Sequence, residues 1–359
     1  MAGQSELKIS GPVLVSCAAL VVIVAGVRVA QPIIVPLVVA AFLAMICLPP
    51  LRWLQEKGLP TWAAMVVMVV VIVLVGSVLV AVIGTSVNRL REQLPEYQAR
   101  VEQLQRQGID WLKGHGVDVS RHLTEQELDT QRLLSLFGDT LGAVGSVLSD
   151  GLVIVFMLFF MLLEGAEFPK KLRAISGDDH SLVDRAGAVQ ESLRRYISLK
   201  TRISLVNALL VTLWLWWLGV DFALLWGLLM FLLNFIPNIG SFIAAVPAVA
   251  LALLQLGVAQ AIYAALGYLV IELVTGSIIE PRLMGRGLGL SPLVVFVSLI
   301  FWGWVLGPVG MLFSVPLTMI VKIVLDHSQD LKWVGVLLSA EAPAPAEHHT
   351  TKSRGQRKK

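Results

Sequence analysis

From Phe222 to Ile271 the chain carries no acid and no base, a run of 50 residues. Drawn out as one helix, such a run is about 75 Å long, against a bilayer hydrocarbon core of about 30 Å. It must therefore fold back on itself. Charge-free runs also fill 58–88, 203–220 and 287–321. A span needs only about 20 apolar residues, and no soluble domain of this size could bury four such stretches. With 15% charged residues, the chain falls well below the roughly 25% usual for soluble domains.

The expected fold class is all-α: a polytopic helical membrane protein with about eight hydrophobic segments. Spans are predicted at 11–28, 32–51, 61–87, 140–163 and 203–219. The apolar run 11–27 is long for a signal-peptide core and a second follows at once, so it reads as a retained span. The expected organisation is an N-terminal set of spans over 1–87, an extracytoplasmic amphipathic helical segment over 88–139, and a fourth span with a cytoplasmic amphipathic segment over 140–202. A transport core over 203–325 and a cytoplasmic tail over 326–359 follow. The tail is Ala-Pro-rich from about 340 and is expected to be disordered there. Segment 164–202 has eight Lys/Arg against six acids, and 88–139 has seven against nine. With the short basic loop 52–60, this places both termini in the cytoplasm. Basic residues beside spans give no reason to invoke nucleic acid.

In the outer segment, Leu90, Leu94, Tyr97, Val101 and Leu104 form a heptad-like stripe. It fits either packing within the chain or a seam between protomers. Thr124 and Glu127 have capping-box spacing.

The long run breaks at Asn234–Phe235–Ile236–Pro237–Asn238–Ile239–Gly240, where proline removes a helix hydrogen bond and glycine permits a tight turn. The run 287–321 is predicted to break at Gly303 and again at Leu306–Gly307–Pro308–Val309–Gly310. Gly240 leads on to Val246–Pro247, and Gly310 to Val315–Pro316. Each unit is preceded by its own helix, 203–219 and 258–279. The pattern predicts two broken or re-entrant hairpins in an inverted repeat. Backbone broken at membrane depth persists only where protein or a watery cavity covers it, a recurring construction in transporters. Kinks in tightly packed helices are the alternative.

Glu272, Gly276 and Glu280 are spaced for one helical face. A carboxylate in a span faces a cavity or a partner. Glu272 could carry a proton, bind a cation, or pair with Arg282, Arg286 or another chain's arginine; Glu280 is expected to fix the turn at Pro281–Arg282. Asn234 and Asn238 could coordinate a cation or cap freed backbone. Asn207, Gln255 and Gln260 read as interhelical hydrogen-bonding groups, and Asp150 as an interface residue. Cys17 and Cys47 read as small buried residues. No GxxxxGK phosphate loop is present, and the six histidines show no metal spacing. Neither cofactor nor metal is expected.

The blocks Ile236–Pro237–Asn238–Ile239–Gly240, Glu280–Pro281–Arg282–Leu283–Met284–Gly285, Leu290–Ser291–Pro292 and Trp302–Gly303 through Leu306–Gly307–Pro308–Val309–Gly310 to Val315–Pro316–Leu317 together resemble the autoinducer-2 exporter family. That resemblance implies a multi-pass transporter of the bacterial inner membrane, not an enzyme. Its name implies export of a furanone-type signal, and members are also associated with sodium/proton antiport. It brings no catalytic residues. Pro237, Gly240, Pro281, Gly285, Gly307, Pro308 and Gly310 join Asn234, Asn238, Glu272 and Glu280 as structural or pathway-lining candidates. The partners so implied are lipid, a small solute, sodium or proton as coupling ion, and further copies of the chain. Three functions follow: a small-solute exporter, a monovalent cation/proton antiporter, and a non-transporting membrane scaffold.

Overall fold

The computed structural model describes residues 11–115, 151–165, 171, 174, 181–237, 239–284, 290–326 and 332–339. Asp150, the Thr124–Glu127 capping box, Asn238, Gly285 and the tail from 340 lie outside the described residues. The described chain is helical, with one isolated β-bridge, Leu290 to Ser339. The helices are α1 (Gly11–Val29), α2 (Gln31–Glu56), α3 (Thr61–Gly114), α4 (Gly151–Gly165), α5 (Ser181–Leu218), α6 (Ala223–Leu233), α7 (Gly240–Leu256) and α8 (Val258–Glu272). A π-helical segment (Leu273–Ile279) leads into α9 (Glu280–Met284), followed by α10 (Pro292–Leu312), α11 (Ser314–Asp326) and α12 (Lys332–Leu338).

Among the described residues, five helical stretches are long and apolar enough to cross a membrane: Gln31–Glu56, Thr61–Leu90, Val189–Leu218, Val258–Leu283 and Pro292–Leu312. Large apolar side chains face outward along them, including Leu74, Leu213, Trp216, Val270 and Ile300. In water that surface would be unfavourable; in lipid it is the solvent-facing side. This is a polytopic helical membrane protein.

Two helices run on past their expected ends. α3 continues for 54 residues, about 81 Å at the α-helical rise, so its polar half extends well beyond the span. Leu90 and Tyr97 of the predicted stripe are buried within the chain's own core, beside Trp226, Ala248 and Leu251. Burial, with Asp221 nearby, pushes the Tyr97 phenol up to about 12. It stays protonated and donates to Gln93 Oε1 at 2.7 Å. α5 runs unbroken through the expected boundary at 202. Its buried residues Leu193, Tyr196, Lys200, Ser204, Asn207, Val211 and Leu215 form one stripe at three- and four-residue steps.

The first predicted break is a tight hairpin between α6 and α7. Its turn satisfies its own backbone: Ile236 N–H donates to Leu233 O at 2.8 Å, and Ile239 N–H to Pro237 O at 2.7 Å. At Gly240 the backbone lies against the Leu233 carbonyl, so that a Cβ would fall onto that oxygen. At the open end, Gln255 accepts from Asp221 N–H at 2.9 Å and donates to Gly219 O at 3.4 Å, the interhelical role expected of it.

Of the two breaks predicted in the second hairpin, the one at Leu306–Gly310 is present and the one at Gly303 is not. Gly303 stays helical; the non-helical residue is Gly307, at φ 68° and ψ −153°. Its positive φ is freely available to glycine. The reversal brings Gly310 onto the Trp302 carbonyl, two residues that would stand about 12 Å apart along a continuous helix. Gly303 instead leaves room for Met311 of the returning arm. Trp302 Nε1 donates to Thr318 Oγ1 at 2.9 Å, fastening the two arms. The apolar stretch Pro292–Leu312 is therefore bent, with its long arm ending at Leu306. Beside the tip, the Arg28 guanidinium stands 4.4 Å from the centre of the Trp304 ring. Ser291 caps the start of α10, accepting from Val294 N–H at 3.4 Å.

Candidate solute cavity

α5 and α8 run antiparallel. Trp214 Nε1 donates to Tyr263 O at 3.1 Å near one end, and Lys200 meets Glu280 near the other. Between the Lys200–Glu280 end, the tip of the first hairpin and the base of the second lies a cavity of about 440 Å³. That lies within the usual range for small-molecule sites, about 300–1,000 Å³. Each wall comes from a different element. α5 supplies Tyr196 and Lys200. The first hairpin supplies Asn234, Ile236 and Pro237. The helix from α8 through the π segment supplies Glu272, Gly276, Ser277, Glu280 and Pro281. Leu290, Pro292, Val295 and Val315 close the apolar side.

The electrostatics centre on one lysine. Lys200 is 5% exposed, and its ammonium donates to both Glu280 carboxylate oxygens, at 2.8 and 2.9 Å. A buried ion pair holds only when its remaining groups are well placed, and this one joins α5 to the end of the π segment. Glu272 stands two turns earlier on the same face. Ser241, at the start of α7, stands near its carboxylate, while Glu272 Oε2 has no hydrogen-bond partner among the described residues. Asn234 Nδ2 donates to Ser204 Oγ at 2.9 Å, tying the hairpin tip to α5. The π segment widens the helix where the carboxylates sit. π-turns are uncommon and cluster at functional sites.

A profile for AI-2E family transporters matches residues 17–330. The chain belongs to the AI-2E transporter family. It is 40% identical to the AI-2 transport protein TqsA of Escherichia coli K12, over 89% of this chain and 93% of that protein. It is 34% identical to the putative transport protein YhhT of the same organism, over 92% and 95%. A putative transport protein of Haemophilus influenzae is 36% identical over 90% and 95%. This AI-2E-family chain is thus a multi-pass membrane protein of a transporter family.

Of the residues singled out in the sequence of this AI-2E-family member, Asn234, Pro237, Glu272, Glu280 and Pro281 line the cavity. Gly240 lies at the turn beside it. Gly307, Pro308 and Gly310 belong to the second hairpin's tip and do not line the cavity. Asn238 and Gly285 lie outside the described residues. Two expectations change. Glu280, expected only to fix the turn at Pro281–Arg282, is held by Lys200 of α5, 80 residues away. The Asn234 side chain spends its donor on Ser204 rather than on freed backbone, because the turn's own carbonyls already accept from turn amides. Lys200, Tyr196 and Ser204 were not singled out in the sequence. Carrying the apolar stripe of span five back past Arg202 at the same spacing brings in all three.

Proposed function

We propose that the chain exports a small polar solute, an autoinducer-2-like signal or a related metabolite, across the bacterial inner membrane as a facilitator or secondary transporter. The observation that carries this reading is the cavity between the two hairpins, small-molecule-sized and built around a buried ion pair. Kinship with a protein named for AI-2 transport supports the solute class. The basic stretches 52–60 and 164–202 support cytoplasmic termini. Lipid and the solute are the expected partners, with a homo-oligomer as the working assembly. No catalytic step is assigned. The test is efflux from proteoliposomes loaded with an AI-2-type furanone, with and without sodium and proton gradients. Efflux faster than from protein-free vesicles is expected; vesicles that retain this and every other small polar solute tried would leave the scaffold reading standing.

A second reading, monovalent cation/proton antiport, is favoured by one observation: the Glu272 oxygen without a partner in the cavity wall. Under that reading Glu272→Gln abolishes sodium-dependent proton flux while the protein remains folded. Sodium-dependent flux persisting at the wild-type rate in the variant removes Glu272 from any carrier role.

A further inference from the structure

We infer that the cavity selects solutes that donate hydrogen bonds and carry no negative charge, namely neutral polyhydroxylated molecules and small amines, and that Glu272 sets this selectivity. The inference rests on the cavity being the solute site proposed above.

Among the described residues, the charged side chains lining it are Lys200, Glu272 and Glu280. Two of the three hydrogens of the Lys200 ammonium are held by Glu280, so an incoming anion must compete for that cation with a carboxylate already paired to it. Among the described lining residues, two carboxylates against one ammonium leave one negative charge over while Glu272 is ionised. Its Oε2 is an acceptor that nothing in the wall satisfies. A buried acceptor left unmade is unfavourable, and a hydroxyl or ammonium hydrogen is what completes it. One of the two amide hydrogens of Asn234 is already given to Ser204. The hydroxyls of Tyr196 and Ser277 can serve in either sense. What the cavity offers is therefore acceptor capacity and net negative charge. An anion meets both as repulsion, since like-charge juxtaposition is disfavoured. A hydroxyl-rich neutral solute, or an amine, meets both as attraction.

The experiment uses the full chain in liposomes and three radiolabelled solutes of one size: a small polyol, its amino analogue and its carboxylate analogue. Efflux of all three is measured from the same preparation, so that their ratios do not depend on the amount of folded protein. The polyol and the amine are expected to leave, and the carboxylate to leave about tenfold more slowly. In Glu272→Gln the carboxylate-to-polyol ratio should rise several-fold. A carboxylate carried as fast as the polyol by the wild type overturns the inference while leaving transport intact. An unchanged ratio in Glu272→Gln overturns the assignment to Glu272. Retention of all three solutes overturns both the inference and the cavity's role in transport.

Discussion

Lys200→Met should unfold in detergent at a markedly lower temperature than the wild type and lose transport. The substitution keeps the length of the side chain and removes its charge. What remains is Glu280 with both oxygens turned toward an apolar chain, and Glu272 two turns away on the same wall. Breaking a buried pair from one side costs about 3–5 kcal/mol, because the surviving charge keeps its desolvation penalty and loses its compensation. The Glu280 side chain is 22% exposed, so some of that penalty is relieved by solvent and the lower end of the range is expected. A second variant separates charge from shape. Adding Glu280→Gln to Lys200→Met removes the orphaned carboxylate, and most of the lost stability should return even if transport does not. The measurements are thermal unfolding in micelles and efflux from liposomes. A Lys200→Met protein that melts with the wild type would mean that the pair does not hold α5 to α9.

Gly240→Val is the other large effect. The first hairpin closes because the Gly240 backbone rests directly on the Leu233 carbonyl. Any Cβ there falls onto that oxygen, and no rotamer relieves it, since the clash involves the first side-chain atom and fixed backbone. The turn must open, and its internal hydrogen bonds from Ile236 and Gly240 go with it. A destabilisation of about 3 kcal/mol, the upper end for overpacking, is expected, with loss of efflux. Gly310→Ala repeats the argument against the Trp302 carbonyl. The control is Gly84→Ala in α3, where a Cβ would meet nothing within 4 Å. In a helix that change should be neutral or stabilising by about 0.5–1 kcal/mol. A Gly240→Val protein that melts and transports as the Gly84→Ala protein does would show that the hairpin tip tolerates a wider turn.

These two sites differ in how far the sequence discloses them. The hairpin at Gly240 is legible because its cause is local: a charge-free run too long for the bilayer, with Pro237 and Gly240 at its middle. The same holds for Gly307, whose break is marked by Pro308. Gly303 misled because a glycine between two tryptophans reads as a break, whereas the helix runs through it and uses the missing side chain to admit Met311. Glu272 and Glu280 could be placed on one face by spacing alone. Lys200 could not be paired with Glu280, because the contact spans 80 residues of sequence and Lys200 sits in a stretch rich in other basic residues. Its neighbours Arg195 and Arg202 face outward, and only the step from Ser204 back to Lys200 separates a core lysine from them. The π segment left no mark: Leu273–Ile279 has an ordinary composition for a span, and its widening depends on what packs around it.

That widened turn fixes the phase of everything after it. A π segment is, in effect, an α-helix carrying a residue to spare. Winding Leu273–Ile279 as a regular α-helix, with every residue kept and no charge changed, would remove that slack. Glu280 and the Pro281–Met284 turn would then swing by about 100° around the axis relative to Glu272. The carboxylate would leave Lys200 and turn toward lipid. A chain with the same residues and no π winding would keep every side chain named here and still lack the ion pair, so the widened turn is as much a part of the site as the groups that line it.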